Sequence, residues 1–409
     1  MVDKIKKELS SLNEAIQNND KFNSLHLQNL ICNYIEHTNR EELDSELLKD
    51  FLCLSKHPVY LTNLPDREKR YEWADIAFKL IKYTDFSLLD LIDYSIKVNP
   101  DKPVFRTIEP VKNNFTYSFL KRRINIIASV IHNKYSEKPK AAIFANNSLD
   151  VALLDIACLS YDIFVAPFNV HFTEETLSYI FLKFKFNVIF TDNIQKVELL
   201  QKIKEKFDYK YDIVLITDKV IQSQNNYLTS ENYFKLPINF SIDEALNKRT
   251  RFSLDNISTI MFTSGSTGLP KIVGFTNYNL LSKRFARGAA LPFAGNDTFL
   301  SYLPLYHTFG RYLEMLGTLY WNSTYVFARK NDINTLMEYM RQVQPTVLIS
   351  IPLRWQELHE NFLLEYKENK KEGKQKAFEK VTGGKLKWGL SAAGYLEPKV
   401  FTFFNNMGV

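Results

Sequence analysis

Glycine is missing from the first 264 residues of this 409-residue chain, and Gly265 is the first of only 13. At the usual share of about 7%, a stretch of that length would hold on the order of 18. Glycine supplies left-handed angles and close backbone approaches. Its absence leaves Asn and Asp to make the turns, so each surviving glycine calls for an explanation. Cysteine is also scarce: Cys32, Cys53 and Cys158 stand far apart in apolar contexts without metal spacing. They read as reduced core residues.

Long apolar runs are lacking too. The longest candidate, "VALLDIACLSYDIFVAPFNV" from Val151, is broken by Asp155, Asp162, Pro167 and Asn169. It falls short of the roughly 18 uninterrupted apolar residues of a membrane span. The opening "MVDKIKKELSSLNEAIQ" has no apolar core for a signal peptide, and the expectation is a cytoplasmic protein. No block of one charge sign occurs either: the net charge is +6, with lysines scattered among glutamates. That pattern argues against a nucleic-acid partner. His26, His37, His57, His132, His171 and His359 form no metal spacing.

What is present is the composition of an ordinary globular protein, 45% apolar and 24% charged, rich in Phe (31) and Tyr (22). The length suffices for two or three domains with large cores. Residues 1–84 carry the helical period, with Ile5, Leu9, Leu12 and Ile16 on one face, and are expected to form an all-helical extension. From Phe86 the pattern alternates helices with short buried strands: "FTYSFLKRRINIIASVIHNKY", "AAIFANN", "SLDVALLDIACLSY", "IFVAPFN", "TEETLSYIFLKF", "FNVIFTD" and "DIVLIT". Such alternation predicts an α/β fold with a doubly wound, mostly parallel sheet, binding its ligand at the carboxyl ends of the strands.

The first two glycines fall in "TSGSTGLPK". The β-rich "STIMF" precedes them, and the helical "NYNLLSKRFARG" follows a few residues later. Thr263, Ser264, Ser266 and Thr267 offer hydroxyls, Gly265 and Gly268 permit close backbone approach, and Lys271 brings a positive charge. Together these suit phosphate oxygens. The order differs from the Walker pattern, because Leu269 and Pro270 separate Gly268 from Lys271.

"TSGSTGLPK" resembles the phosphate-loop signature of the adenylate-forming, AMP-binding superfamily. "AIFANNSLDVALLDIACLSYDIFVAPFN", "YLPLYHTFGRYLEMLG" and "KLKWGLSAAGYLEP" resemble further family segments in order and spacing. The likeness runs from about Phe86 to Val409, and the "LPLYHTFGR" form with the helical stretch Asn361 to Lys387 is most similar to long-chain fatty acyl-CoA synthetases. It implies that the helical extension over 1–84 is followed by an AMP-binding adenylation domain over 85–409 that lacks its C-terminal part and small mobile domain. Departures occur at Tyr161-Asp162, at Thr276-Asn277 and at Pro352-Leu353-Arg354.

The resemblance further implies the chemistry. A carboxylic acid, expected to be a medium- or long-chain fatty acid, would attack the α-phosphate of ATP to give acyl-adenylate and pyrophosphate, and coenzyme A would then displace AMP. Lys271 and His307 would be catalytic, with His307 lining the acyl entrance. Residues 263–268, Lys271, Ser391, Ala392, Ala393 and Gly394 would bind nucleotide, and Thr263 would help hold Mg2+. The chain is expected to stop short of the magnesium-binding Glu motif and of the small domain with its adenylating Lys, so that by itself it turns over little. Two other readings stay open: an aryl- or amino-acid adenylating enzyme loading a carrier protein, and a non-catalytic nucleotide-binding or scaffold remnant. Peripheral contact with a membrane and the oligomeric state are left undecided.

Overall fold

The computed structural model describes residues 1–135, 138–217, 227–237, 240–247, 252–263, 269–291 and 297–409. They divide into two compact units: Met1–Pro100, Ser118–Asn146 and Asp150–Ala294 form the first, and Asp101–Tyr117, Asn147–Leu149 and Gly295–Val409 the second.

The first unit begins with helices whose apolar stripes were visible in the sequence. In Val2–Asn18, Ile5, Leu9 and Leu12 are buried as expected; Ala15 completes the stripe and Ile16 sits at its margin. Asp44 and Asp66 cap Ser45–Ser55 and Arg67–Tyr83 by accepting from the Leu47 and Lys69 amides, satisfying donors that a helix start leaves open. The last of these long helices packs onto Asn277–Ala290. Trp73 and Phe86, both fully buried, lie 5.8 and 5.9 Å from the Phe285 ring, and the Lys82 ammonium sits 4.7 Å from the Tyr278 ring.

The sheet of this unit has seven strands in the order Leu228–Thr229, Asp212–Leu215, Val188–Thr191, Lys140–Phe144, Phe164–Pro167, Ile257–Thr263 and Lys271–Thr276. All neighbours are parallel except the final antiparallel pair. Strands such as Val188–Thr191 are buried throughout, as expected when helices cover both faces. The helix Leu149–Ser160, which supplied the longest apolar run, is buried from Val151 to Ser160, and no described helix is long and apolar enough to cross a membrane.

The second unit holds six strands in the order Trp388–Ser391, Val347–Ser350, Thr298–Ser301, Thr324–Phe327, Pro103–Thr107 and Asn113–Thr116. Only the last pair is antiparallel. The two strands before Tyr117 have no counterpart among the sequence expectations, because their mixed "PVFRT" and "NNFT" show no clean alternation. The fold is therefore mixed α/β with two mostly parallel sheets.

Candidate active site

Between Ile257–Thr263 and Lys271–Thr276 the chain makes a hairpin, with Thr263 directly across from Lys271 in the register. This corrects the expectation that the loop leads from a strand toward a helix: a strand intervenes. Ile272, Val273, Phe275 and Thr276 are residues that favour a pleated backbone, and the helix starts only at Asn277. Thr276 ends the strand and caps that helix reciprocally, its hydroxyl accepting from the Asn279 amide while Asn279 Oδ1 accepts from the Thr276 amide, at 3.1 and 3.2 Å. Asn277 is buried and donates to the Ser253 carbonyl at 2.9 Å, so the departure at 276–277 is built into the helix start.

Thr263 and Lys271 are both exposed at the hairpin tip, and Lys271 joins no ion pair among the described residues. Ser264, Gly265, Ser266, Thr267 and Gly268 lie outside the described residues. The tip sits at the carboxyl end of the parallel strands, the end where open α/β sheets bind ligands. At that end, Asn146 donates from its amide and side chain to Asp192 at 2.9 and 2.6 Å, and Lys196 pairs with Asp192 at 2.7 Å. Burial pushes the Asp192 carboxyl up, but Lys196 and Asn146 outweigh it and hold the carboxyl below its ordinary value.

The second unit carries His307 and Ser391–Gly394. His307 is exposed in a tight turn, its amide donating to the Pro304 carbonyl at 2.9 Å and its own carbonyl accepting from Arg311 at 3.0 Å. Two features that the sequence did not single out fix this turn. Asn147 grips it with both ends of its side chain, donating to the Leu303 carbonyl at 2.7 Å and accepting from the Leu305 amide at 2.8 Å. Gly310 is pressed onto it so closely that a Cβ there would lie 2.4 Å from the Pro304 carbonyl oxygen and 2.5 Å from that of Leu303. The following residues, Phe309–Met315, form a π-helical turn, a rare device often found near functional sites. Tyr312 is core, and Glu314 is completely buried. Burial pushes the Glu314 carboxyl well above its ordinary value of 4.5, and the Ser301 hydroxyl counters this only in part.

Three neighbouring parallel strands of the second sheet end in Ser301, Ser350 and Ser391. Ser350 is the register partner of Ser391 and shares a 2.5 Å hydrogen bond with Tyr302. The Ala392 amide donates back to the Ser350 carbonyl at 3.2 Å. Ala393 takes a left-handed φ of 67°, a strained choice for a residue with a Cβ, and the turn lifts Ala393 and Gly394 into solvent. Ser391 Oγ is buried with no hydrogen-bond partner among the described residues. Tyr302 and Ser350 could have been found in the sequence only by knowing which strands are neighbours. Thr263 and Lys271 thus come together in one unit, whereas His307 and residues 391–394 belong to the other.

Oxygen donors at the hairpin tip suit a hard cation such as Mg2+ held jointly with phosphates. Thr263 provides one, and the described residues contain no cluster of His, Cys, Asp or Glu able to hold a metal by themselves.

The AMP-binding enzyme family matches residues 92–409, and the chain belongs to it. Among curated relatives, it is similar to long-chain-fatty-acid–CoA ligase 1 of Cavia porcellus, 27% identical over 51% of this chain and 31% of that protein. It is also similar to long chain acyl-CoA synthetase 3 of Arabidopsis thaliana, 22% identical over 78% of this chain and 46% of that one. The chain therefore spans less than half the length of these two relatives. Solved structures with the same fold include a luciferase-like enzyme from the mealworm Zophobas morio (TM-score 0.62, 17% identity, 79% of this chain and 69% of that one). ATP-bound MatB from Rhodopseudomonas palustris is another (TM-score 0.54, 18% identity, 75% and 60%).

Proposed function

We propose that the protein to which this chain belongs activates a medium- or long-chain fatty acid. In the first step a carboxylate oxygen attacks the α-phosphorus of ATP, the bond to the bridging oxygen breaks, and pyrophosphate leaves. In the second, the sulfur of coenzyme A attacks the acyl carbon, AMP departs, and the thiol proton passes to solvent. The observation that carries this reading is the hairpin that sets Lys271 across from Thr263 at the carboxyl end of a parallel sheet, in a chain of the AMP-binding family.

Each residue then has a task. Lys271 is free to place its charge on phosphate oxygens as negative charge accumulates there, an electrostatic role that counts most in the transition state. The Thr263 hydroxyl would share Mg2+ with the phosphates, the ion supplying further charge neutralisation. Residues 264–268 would cradle the phosphates with backbone amides and hydroxyls. Ser391, Ala392, Ala393 and Gly394 would border the adenine, and the locked turn would hold His307 at the carboxylate entrance. Residues 85–409 would constitute the adenylation domain and residues 1–84 its helical extension.

The test is acid-dependent exchange of labelled pyrophosphate into ATP by the full-length protein. The Lys271→Ala variant is expected to lower this rate about 10-fold to 1,000-fold, by analogy with removal of one electrostatic donor. An unchanged rate in a folded variant would remove Lys271 from the mechanism.

A further inference from the structure

The strand Ile257–Thr263 has two ends, and the loop occupies only one. At the other lies a groove of about 540 Å³, within the size range of small-molecule sites. It opens where Lys140, Phe164 and Ile257 begin their strands and Phe184 follows the end of the helix Glu174–Lys183. Six residues at about 3.3 Å each put its Ile257 edge about 20 Å from Thr263; its floor then runs along the hairpin as far as Ile272, the partner of Phe262 and neighbour of Lys271.

The walls are of two kinds. Phe164 and Phe184 stack at 6.0 Å and 13°, and Ile257, Ile260 and Ile272 extend that apolar floor. Ile257 remains 57% exposed, although its strand has a neighbour on each side. Gly274 keeps the wall low: a Cβ there would already press on Ile257 at 3.3 Å. Lys140 and Lys183 supply positive charge, the latter poised 4.8 Å above the Tyr179 ring. Neither lysine joins an ion pair among the described residues, and none of the residues lining the groove is acidic. Lysine ammoniums serve as point charges for carboxylates and phosphates, while the aromatic and aliphatic floor gains by covering apolar surface.

From this pairing of cations with an apolar trough we propose that the groove binds a single-chain amphiphile with an anionic head, such as a fatty carboxylate, at a second site. Its head lies between Lys140 and Lys183 and its chain along Phe164, Phe184 and the isoleucines. Because Ile257, Ile260, Ile272 and Gly274 belong to the hairpin whose tip carries Thr263 and Lys271, an occupant here braces the base of the element that presents the loop.

The experiment is photolabelling of the full-length protein with a diazirine-bearing dodecanoate, below its micellar concentration, followed by peptide mapping. Label is expected on peptides containing residues 179–184 and 271–276. The Lys140→Glu/Lys183→Glu double variant, changed only at residues that are not buried and with its melting point checked against the parent, should lose label there on the order of ten-fold. Lys271→Ala should retain it, so that failure of acid activation and failure of this site are read separately. Unlabelled peptides, labelling indifferent to the double variant, or labelling that appears only on added phosphatidylglycerol vesicles would each overturn the proposal.

Discussion

Asn147 makes two hydrogen bonds to the backbone of Leu303 and Leu305, and each is worth about 1 kcal/mol net. Asn147→Ala is expected to destabilise the fold by about 1–3 kcal/mol. Because the proposed task of the turn is to hold His307, the substitution should also raise KM for the acid while leaving KM for ATP within about two-fold, a split that uniform loss of folded protein does not produce. Steady-state kinetics with the acid and ATP varied in turn check this. Glu314 gives a prediction about pH. Its carboxyl is raised above the ordinary 4.5 by burial, so the folded state holds a proton that the unfolded state releases. Its contribution is present below pH 4.5 and is lost as pH rises toward the folded value. Glu314→Gln, which has no proton to lose, should therefore gain melting temperature relative to the parent as pH is raised from 4.5 to 8. Parallel curves across that range would contradict the assignment. Glu314 was not legible in the sequence, since a glutamate four residues after Gly310 gives no sign that the turn between them is π-helical and turned inward.

At the scale of elements, much could be read beforehand. Apolar periodicity located several of the helices and the strands Lys140–Phe144, Phe164–Pro167, Val188–Thr191 and Asp212–Leu215 of the first sheet, because covered parallel strands are nearly all apolar, as Val188–Thr191 is. The helix Ile194–Lys206 and the two-residue strand Leu228–Thr229 have no counterpart among the sequence expectations. The strand Lys271–Thr276 escaped because its six residues lie between a loop signature and a helix cap, and an edge strand needs no alternation to be recognised by its partner. The pairing of Ser350 with Ser391 escaped because register across a sheet is a tertiary property. The N-terminal helices also look different once packed. Trp73 and Phe86 close on Phe285, in the helix that the hairpin runs into. Phe285→Ala should cost about 3–5 kcal/mol, the usual range for a fully buried aromatic. Lys82→Ala, which removes only the contact with Tyr278, should cost about 0.5–1 kcal/mol. Denaturant unfolding of the two variants measures the contrast, and equal effects would mean that the helices are held elsewhere.

For the whole molecule, the missing glycines and the surviving ones tell a consistent story. Turns such as those at Asn19, Asp85, Asp162 and Asn322 take left-handed angles with Asn or Asp, residues that tolerate them. Glycine is kept at Gly310, where a side chain would collide with backbone. The family's phosphate-loop signature was the strongest sequence signal, and the match over residues 92–409 agrees with it. What the sequence could not reveal is the turn that holds His307, because its parts, Asn147 and residues 303–310, are far apart along the chain.

The proposed function requires the full protein to make an acyl-adenylate. Incubating it with ATP, Mg2+ and separately hexadecanoate, anthranilate and a mixture of amino acids, without coenzyme A, and detecting adenylates by mass spectrometry tests it directly. Hexadecanoyl-adenylate is expected, with release of pyrophosphate. Formation of only an aryl- or aminoacyl-adenylate, or of none, would contradict it.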